Sequence, residues 1–128
     1  MHVRDGMNTE VLTVGPNHTL RDASRLMAKR GVGAAVVIDP ETAGVGILTE
    51  RDVLEAIGAG QNADLELVSA HLTKDLVFAA PDWVMDDAAV AMVKGGFRHL
   101  VVLDGNDVVG ILAMRDIVRC WTAAGAAR

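Results

Sequence analysis

The chain is a repeat of itself. Displaced by 65 residues, the stretch from Val3 to Asp39 lies over Val68 to Asp104. Pro16 then falls on Pro81, Asp22 on Asp87, Ala23 on Ala88, Met27 on Met92, Lys29 on Lys94 and Gly31 on Gly96. One residue is skipped in a turn and the displacement becomes 64. VGILTERD, from Val45 to Asp52, now lies over VGILAMRD, from Val109 to Asp116, identical at six of eight positions. A register held over this length is the mark of tandem duplication, and it must be recognised before any element is assigned. It also limits the fold. Each copy has about 50–55 residues, small for a self-sufficient core, so each is expected to hide an apolar face against the other. The expected organisation is a first repeat over residues 1–60, a linker over 61–67, a second repeat over 68–121 and a tail over 122–128. The link lies in GAGQNAD (Gly58 to Asp64), rich in small and polar residues. The last residues, TAAGAAR, have little to pack and are expected to fray.

Composition removes several classes of function. Of 128 residues 51% are hydrophobic but only 3% aromatic, so the core must be built from Ala, Val, Leu, Ile and Met. No apolar run approaches the roughly 18–20 residues that span a bilayer. MHVRDGMNTE carries no apolar segment of the kind a secretory signal needs. The single Cys120 cannot form an intrachain disulfide. Together these predict a cytoplasmic protein in a reducing compartment. A net charge of −5 argues against broad phosphate-backbone binding, and the scarcity of aromatics removes a stacking platform for single strands.

Local patterning gives each repeat the order strand, helix, strand, strand, helix. In the first, Val11 to Val14 is a short strand ended by Gly15-Pro16. Thr19 caps a helix running to Arg30, with Asp22 as capping-box partner, and Gly31 ends it. Ala34 to Ile38 is a continuous apolar run, expected to be a strand buried on both faces. The turn from Asp39 to Gly44 leads to a returning strand at Val45 to Leu48, and a second helix runs from Thr49 to Ile57. In the second repeat the strands are Val77 to Ala79, Leu100 to Leu103 and Val108 to Leu112, and the helices Asp86 to Lys94 and Met114 to Trp121. Asp104-Gly105-Asn106-Asp107 is a hairpin signal. The expected class is α/β (α+β).

No catalytic or metal constellation stands out. His2, His18, His71 and His99 show no metal-like pairing. Cys120 reads as a packing residue beside Trp121. Ser24, Thr49 and Ser69 have no nearby His to act as base. Met27 and Met92 occupy matching helix positions and read as core. The segment from Gly46 to Asp52 does stand out. A strand ends and a helix begins at Thr49, whose first-turn N–H groups attract anions. A Thr hydroxyl there can donate to a phosphate, Asp52 can accept from the adjacent hydroxyls of a ribose, and Arg51 adds positive charge. Thr49 and Asp52 also have capping-box spacing, which accounts for the pair with no ligand at all. The second repeat keeps Arg115 and Asp116 but has Ala113 in place of Thr.

The repeat architecture, GILTERD and GILAMRD, and the preceding GVGAAVVID and GFRHLVVLD resemble the CBS domain, and the tandem copies resemble a CBS pair, or Bateman module. The resemblance covers about Val3 to Trp121. It implies two β-α-β-β-α units packed as a pseudo-two-fold pair, with clefts between them that take AMP, ADP, ATP or S-adenosylmethionine. The family's Thr/Ser-x-x-Asp motif matches Thr49 and Asp52, the Asp holding the ribose and the Thr the phosphate; in the second repeat only Asp116 matches. The adenine is expected beside Val11, Leu12, Thr13, Ala34, Ala35 and Val36, and beside Val77, Phe78, His99, Leu100 and Val101 in the second repeat. Val36 and Val101 stand where the family often has Pro. The resemblance further implies a homodimer, a disc of four CBS domains.

The function expected from these observations is a non-enzymatic sensor. An adenine nucleotide or S-adenosylmethionine would be its regulatory ligand, with no catalytic cofactor, and it would signal to a separate partner protein. The Asp116 site, lacking a hydroxyl, is expected to be the weaker one for phosphorylated ligands. A ligand-free dimerisation or protein-interaction module with vestigial clefts is the alternative. A small nucleotide-directed enzyme and a nucleic-acid binder are the further ones, opposed respectively by the lack of an activated nucleophile and by the charge.

Overall fold

The structure, a computed structural model, describes residues 1–126. After a one-turn helix α1 (Val3–Gly6), the chain forms β1 (Thr13–Val14), α2 (Leu20–Arg30), β2 (Ala34–Ile38), β3 (Val45–Thr49) and α3 (Glu50–Gly58). A 3-10 turn (Val68–Ala70) precedes β4 (Phe78–Ala79), α4 (Met85–Gly95), β5 (His99–Asp104), β6 (Asp107–Ala113) and α5 (Met114–Ala126). The expected mixed α/β class and the repeated element order are both found. Two three-stranded sheets result, ordered β1-β2-β3 and β4-β5-β6. In each, the first pair is parallel and the second antiparallel.

Local chemistry explains the boundaries. Thr19 caps α2 by accepting the Asp22 N–H at 3.1 Å, and Gly31 and Gly96 end α2 and α4 in the left-handed conformation that glycine adopts without strain. The Gly105-Asn106 turn joins β5 to β6, with Asp104 opposite Asp107. β1 and β4 are shorter than their apolar runs, two residues each. At the other end, α5 runs on through Ala126, where a frayed tail from residue 122 was expected. Ala-rich sequence has high helix propensity, and the Thr122 hydroxyl donates to the carbonyls of Val118 and Arg119, both at 3.0 Å. Ala127 and Arg128 lie outside the described residues.

Alternation along the strands separates two faces. Ala35, Val37 and Leu48 join Val14, Leu20, Ala23, Met27 and Val68 in one core. Leu100, Val102 and Leu112 join Val3, Met85, Ala88, Met92 and Ile117 in the other. Val36 and Val101, on the opposite strand faces, are also buried.

Each compact unit takes its opening segment from the other repeat. Met1–Val11 packs with the chain from Val77 onward, and Leu12–Leu76 forms the second unit. The hydrogen bonds reproduce the duplication. Val3 N–H donates to Trp83 O and Arg4 N–H to Pro81 O; Val68 N–H donates to His18 O and Ser69 N–H to Pro16 O. Asn8 bridges Ile111 as Thr73 bridges Ile47. The linker is tied down as well. Leu20 and Arg21 N–H groups, at the start of α2, donate to Glu66 O and Ala63 O, and Arg21 pairs with Asp64. Ala63 reaches the core of its unit.

Candidate functional site

The strand register gathers most of the predicted first-repeat residues at one end of one sheet. Ala34 lies opposite Thr49, and Leu12 O accepts the Val36 N–H at 2.9 Å. Leu12, Ala34, Thr49 and the first turn of α3 are therefore neighbours. The second sheet repeats the arrangement: Phe78 lies opposite Val101 and His99 opposite Ala113, where α5 begins. Strand alternation sorts the remainder. Ala35 and Leu100 belong to the core clusters, so their side chains are committed to packing and only their backbone faces elsewhere. Val36 is buried on the other face, Thr13 is exposed, and Val77 is exposed ahead of β4.

At α3 both halves of the capping box are formed. The Thr49 N–H donates to Asp52 Oδ2 at 2.9 Å, and the Asp52 N–H donates to Thr49 Oγ1 at 3.3 Å. The Glu50 N–H donates to Gly33 O at 2.9 Å. Of the first three helical N–H groups, only that of Arg51 thus remains for an anion, which narrows the expectation of a helix end open to phosphate. The capping function does not exhaust the pair. The Thr49 hydroxyl hydrogen and Asp52 Oδ1 remain as donor and acceptor, and Arg51 is exposed with no ion pair among the described residues.

The α5 end differs. Asp116 is buried, and both of its oxygens are engaged: Oδ2 accepts the Ala113 N–H at 2.9 Å and Oδ1 accepts from Arg119 at 2.5 Å. The Asp116–Arg119 pair is an i,i+3 contact that helical spacing could have flagged. Arg115 is exposed in the first turn.

The histidines have local partners. His18 Nδ1 accepts the Gly15 N–H at 2.9 Å, and His71 Nε2 lies 2.8 Å from Glu66 Oε1. The backbone N–H of His2 donates to Asp5 Oδ2, and this bond is the main reason the Asp5 carboxyl lies below its usual range. Among the described residues no three metal-ligating side chains come together, and Cys120 packs against the second core. An open depression of about 460 Å³, lined by Thr13, Val14, Gly15, Pro16, Asn17, His18, Ile38 and Pro40, lies at the opposite end of β2 from Thr49. Thr13 is the sole predicted site residue lining it.

Known proteins match this arrangement. The CBS domain sequence profile fits twice, at residues 2–59 and 68–122. The CBS domain-containing protein YhcV of Bacillus subtilis is 36% identical over 118 residues, 90% of this chain and 81% of that one. Solved structures of known proteins share the fold. The CBS domain pair of MJ0100, in complex with 5′-methylthioadenosine and S-adenosyl-L-methionine, superposes with a TM-score of 0.86 at 24% identity, over 97% of this chain and 98% of that one. PAE2072 of Pyrobaculum aerophilum, complexed with AMP, gives 0.82 at 22% identity, over 96% and 99%.

Proposed function

This chain belongs to the CBS domain family, as two tandem copies, and on that premise we propose that it is a non-enzymatic regulatory module that binds an adenosine-containing ligand. AMP, ADP, ATP and S-adenosylmethionine are the candidates, each acting as signal and none as catalytic cofactor, with the state read by a partner protein in the cytoplasm. What carries the reading is the duplicated strand end. A helix begins there with an Asp at its third position, and at the first of the two ends Asp52 Oδ1 and the Thr49 hydroxyl hydrogen remain for a ribose and its substituent. The fold-mates in complex with AMP and with S-adenosyl-L-methionine support an adenosine ligand. Among the described residues no helix is long and apolar enough to cross a membrane. Calorimetric titration with AMP, ATP and S-adenosylmethionine tests the proposal: saturable binding of at least one is expected, and no heat from any at millimolar concentration overturns it. The closed Thr49–Asp52 capping box favours a second reading, an interaction module with vestigial sites. An unchanged melting temperature across the same ligands would favour it, because a ligand specific to the native state must stabilise that state.

We further propose that α3 and α5 carry a homodimer contact. Leu54 and Ile57 on α3, and Val118 and Trp121 at the equivalent positions of α5, are large apolar side chains left exposed. Duplication kept this stripe on both helices, and a stripe present twice suits a symmetric contact with a second copy of the chain. Light scattering should report a dimer for the wild type and a monomer for Ile57→Glu combined with Trp121→Glu. A double variant that stays dimeric removes these faces from the interface.

A further inference from the structure

We propose that the two Asp-bearing ends select ligands by charge: the Asp116 end takes a nucleoside polyphosphate, and the Asp52 end takes an adenosine ligand with little or no negative charge. The inference rests on the adenosine-binding reading above and assigns a ligand class to each end. Duplication makes the two ends comparable position by position. Gly33 corresponds to Arg98, Glu50 to Met114, Arg51 to Arg115, Asp52 to Asp116 and Glu55 to Arg119. At these five positions the first end has three carboxylates and one arginine, the second three arginines and one carboxylate.

Geometry keeps these charges where they matter. In the first repeat Gly33 leaves room for Glu50, whose Oε1 lies 3.0 Å from the position a Cβ would take on residue 33. A carboxylate therefore lies beside the strand end, next to the capping box. Asp52 Oδ1 has no partner among the described residues and can accept from a ribose, while Glu50 and Glu55 repel a phosphate chain. In the second repeat Met114 N–H donates to Arg98 O at 2.8 Å, so Arg98 abuts the start of α5. Arg119 binds Asp116 Oδ1 at 2.5 Å and offsets the buried carboxylate. The charge of the exposed Arg98 then adds to the positive end of the helix dipole.

Counting hydroxyls alone favours the first end for phosphate, since Ala113 replaces Thr49. Magnitudes reverse that order. A neutral hydrogen bond is worth roughly tenfold in affinity or less, whereas a charge-assisted bond from one arginine is worth about ten- to a hundredfold.

The test is titration of the full chain with adenosine, AMP and ATP at low and high salt. ATP should bind more tightly than AMP, and its affinity should fall with salt. Arg98→Gly, which installs the first-repeat residue at an exposed position, should weaken ATP about tenfold and leave adenosine within twofold. Glu50→Met, the reciprocal exchange, should strengthen ATP binding and keeps the proposal testable should Arg98→Gly fail to fold. ATP affinity unchanged in both variants overturns the charge assignment while leaving adenosine binding intact. No heat from adenosine, AMP or ATP with the wild type overturns the underlying reading as well.

Discussion

Replacing Asp52 by Ala is expected to weaken adenosine binding at least tenfold while lowering stability by only about 1 kcal/mol. The two effects come from different oxygens of one side chain. Oδ2 accepts the Thr49 N–H and closes the capping box, and losing a cap residue costs about 0.5–2 kcal/mol. Oδ1 has no partner among the described residues, and a charged acceptor bonded to a ribose hydroxyl contributes about 1.5–3 kcal/mol, or roughly ten- to a hundredfold. Adenosine is the right probe because it carries the ribose without a phosphate, so neither Arg51 nor the helix dipole contributes much. 2′-Deoxyadenosine supplies the complementary deletion. Against the wild type it should bind as weakly as adenosine binds Asp52→Ala, and against the variant it should lose little more. Additive losses, or adenosine affinity equal in variant and wild type, would remove the ribose role from Asp52 and leave it as a cap.

That ambiguity was already present in the sequence, and its cause is physical. A capping box and a ribose-phosphate site call for the same residue types at the same spacing, because both exploit unpaired N–H groups at a helix start. The structure adds what spacing cannot: the Arg51 N–H is the one left open in the first turn, and each Asp oxygen has its own fate. The adenine-side residues show a similar limit. Ala34, Ala35 and Val36 are consecutive in the chain, but the pleat sends Ala35 into the core and its neighbours to the other face. Leu100 is lost to the core for the same reason.

The fold was more legible than the site. The paired Val/Ile-rich runs, the left-handed glycines at residues 31 and 96 and the Gly105-Asn106 turn each act within a few residues, so local chemistry reveals them. The segment exchange acts over long range and left almost no local trace. Val3 to Gly6 makes only one turn of helix, too short for hydrophobic periodicity. Its one trace was the alignment of Val3 with Val68, both of which are fully buried.

A glycine at matching strand positions of the two units, Gly46 and Gly110, makes room for that exchange, and Gly46→Val should destabilise the protein by about 1–3 kcal/mol. Taken alone, β3 predicts the opposite. Gly in a strand interior is unfavourable, and Val is among the best strand formers, so an isolated sheet would gain stability. The crossing segment reverses the sign. Thr73 and Ile47 exchange both backbone hydrogen bonds, at 2.9 and 3.0 Å, which draws the segment directly over Gly46. A Cβ there would lie 2.6 Å from Leu72 Cδ1 and 3.0 Å from Thr73 O. Leu72 can rotate away, but the Thr73 carbonyl cannot retreat without giving up its bond to Ile47. Adding the γ-methyls of Val makes the overlap worse. Gly110 holds the matching position in the other unit, where a Cβ would meet Met7 Sδ at 2.7 Å and Asn8 O at 3.2 Å. Urea denaturation gives the stability change, and amide hydrogen exchange locates it. Faster exchange at Ile47 and Thr73, with β5 and β6 protected as before, is expected for Gly46→Val. A variant as stable as the wild type, with Thr73 exchange unchanged, would show that the segment is not held against β3 in this way.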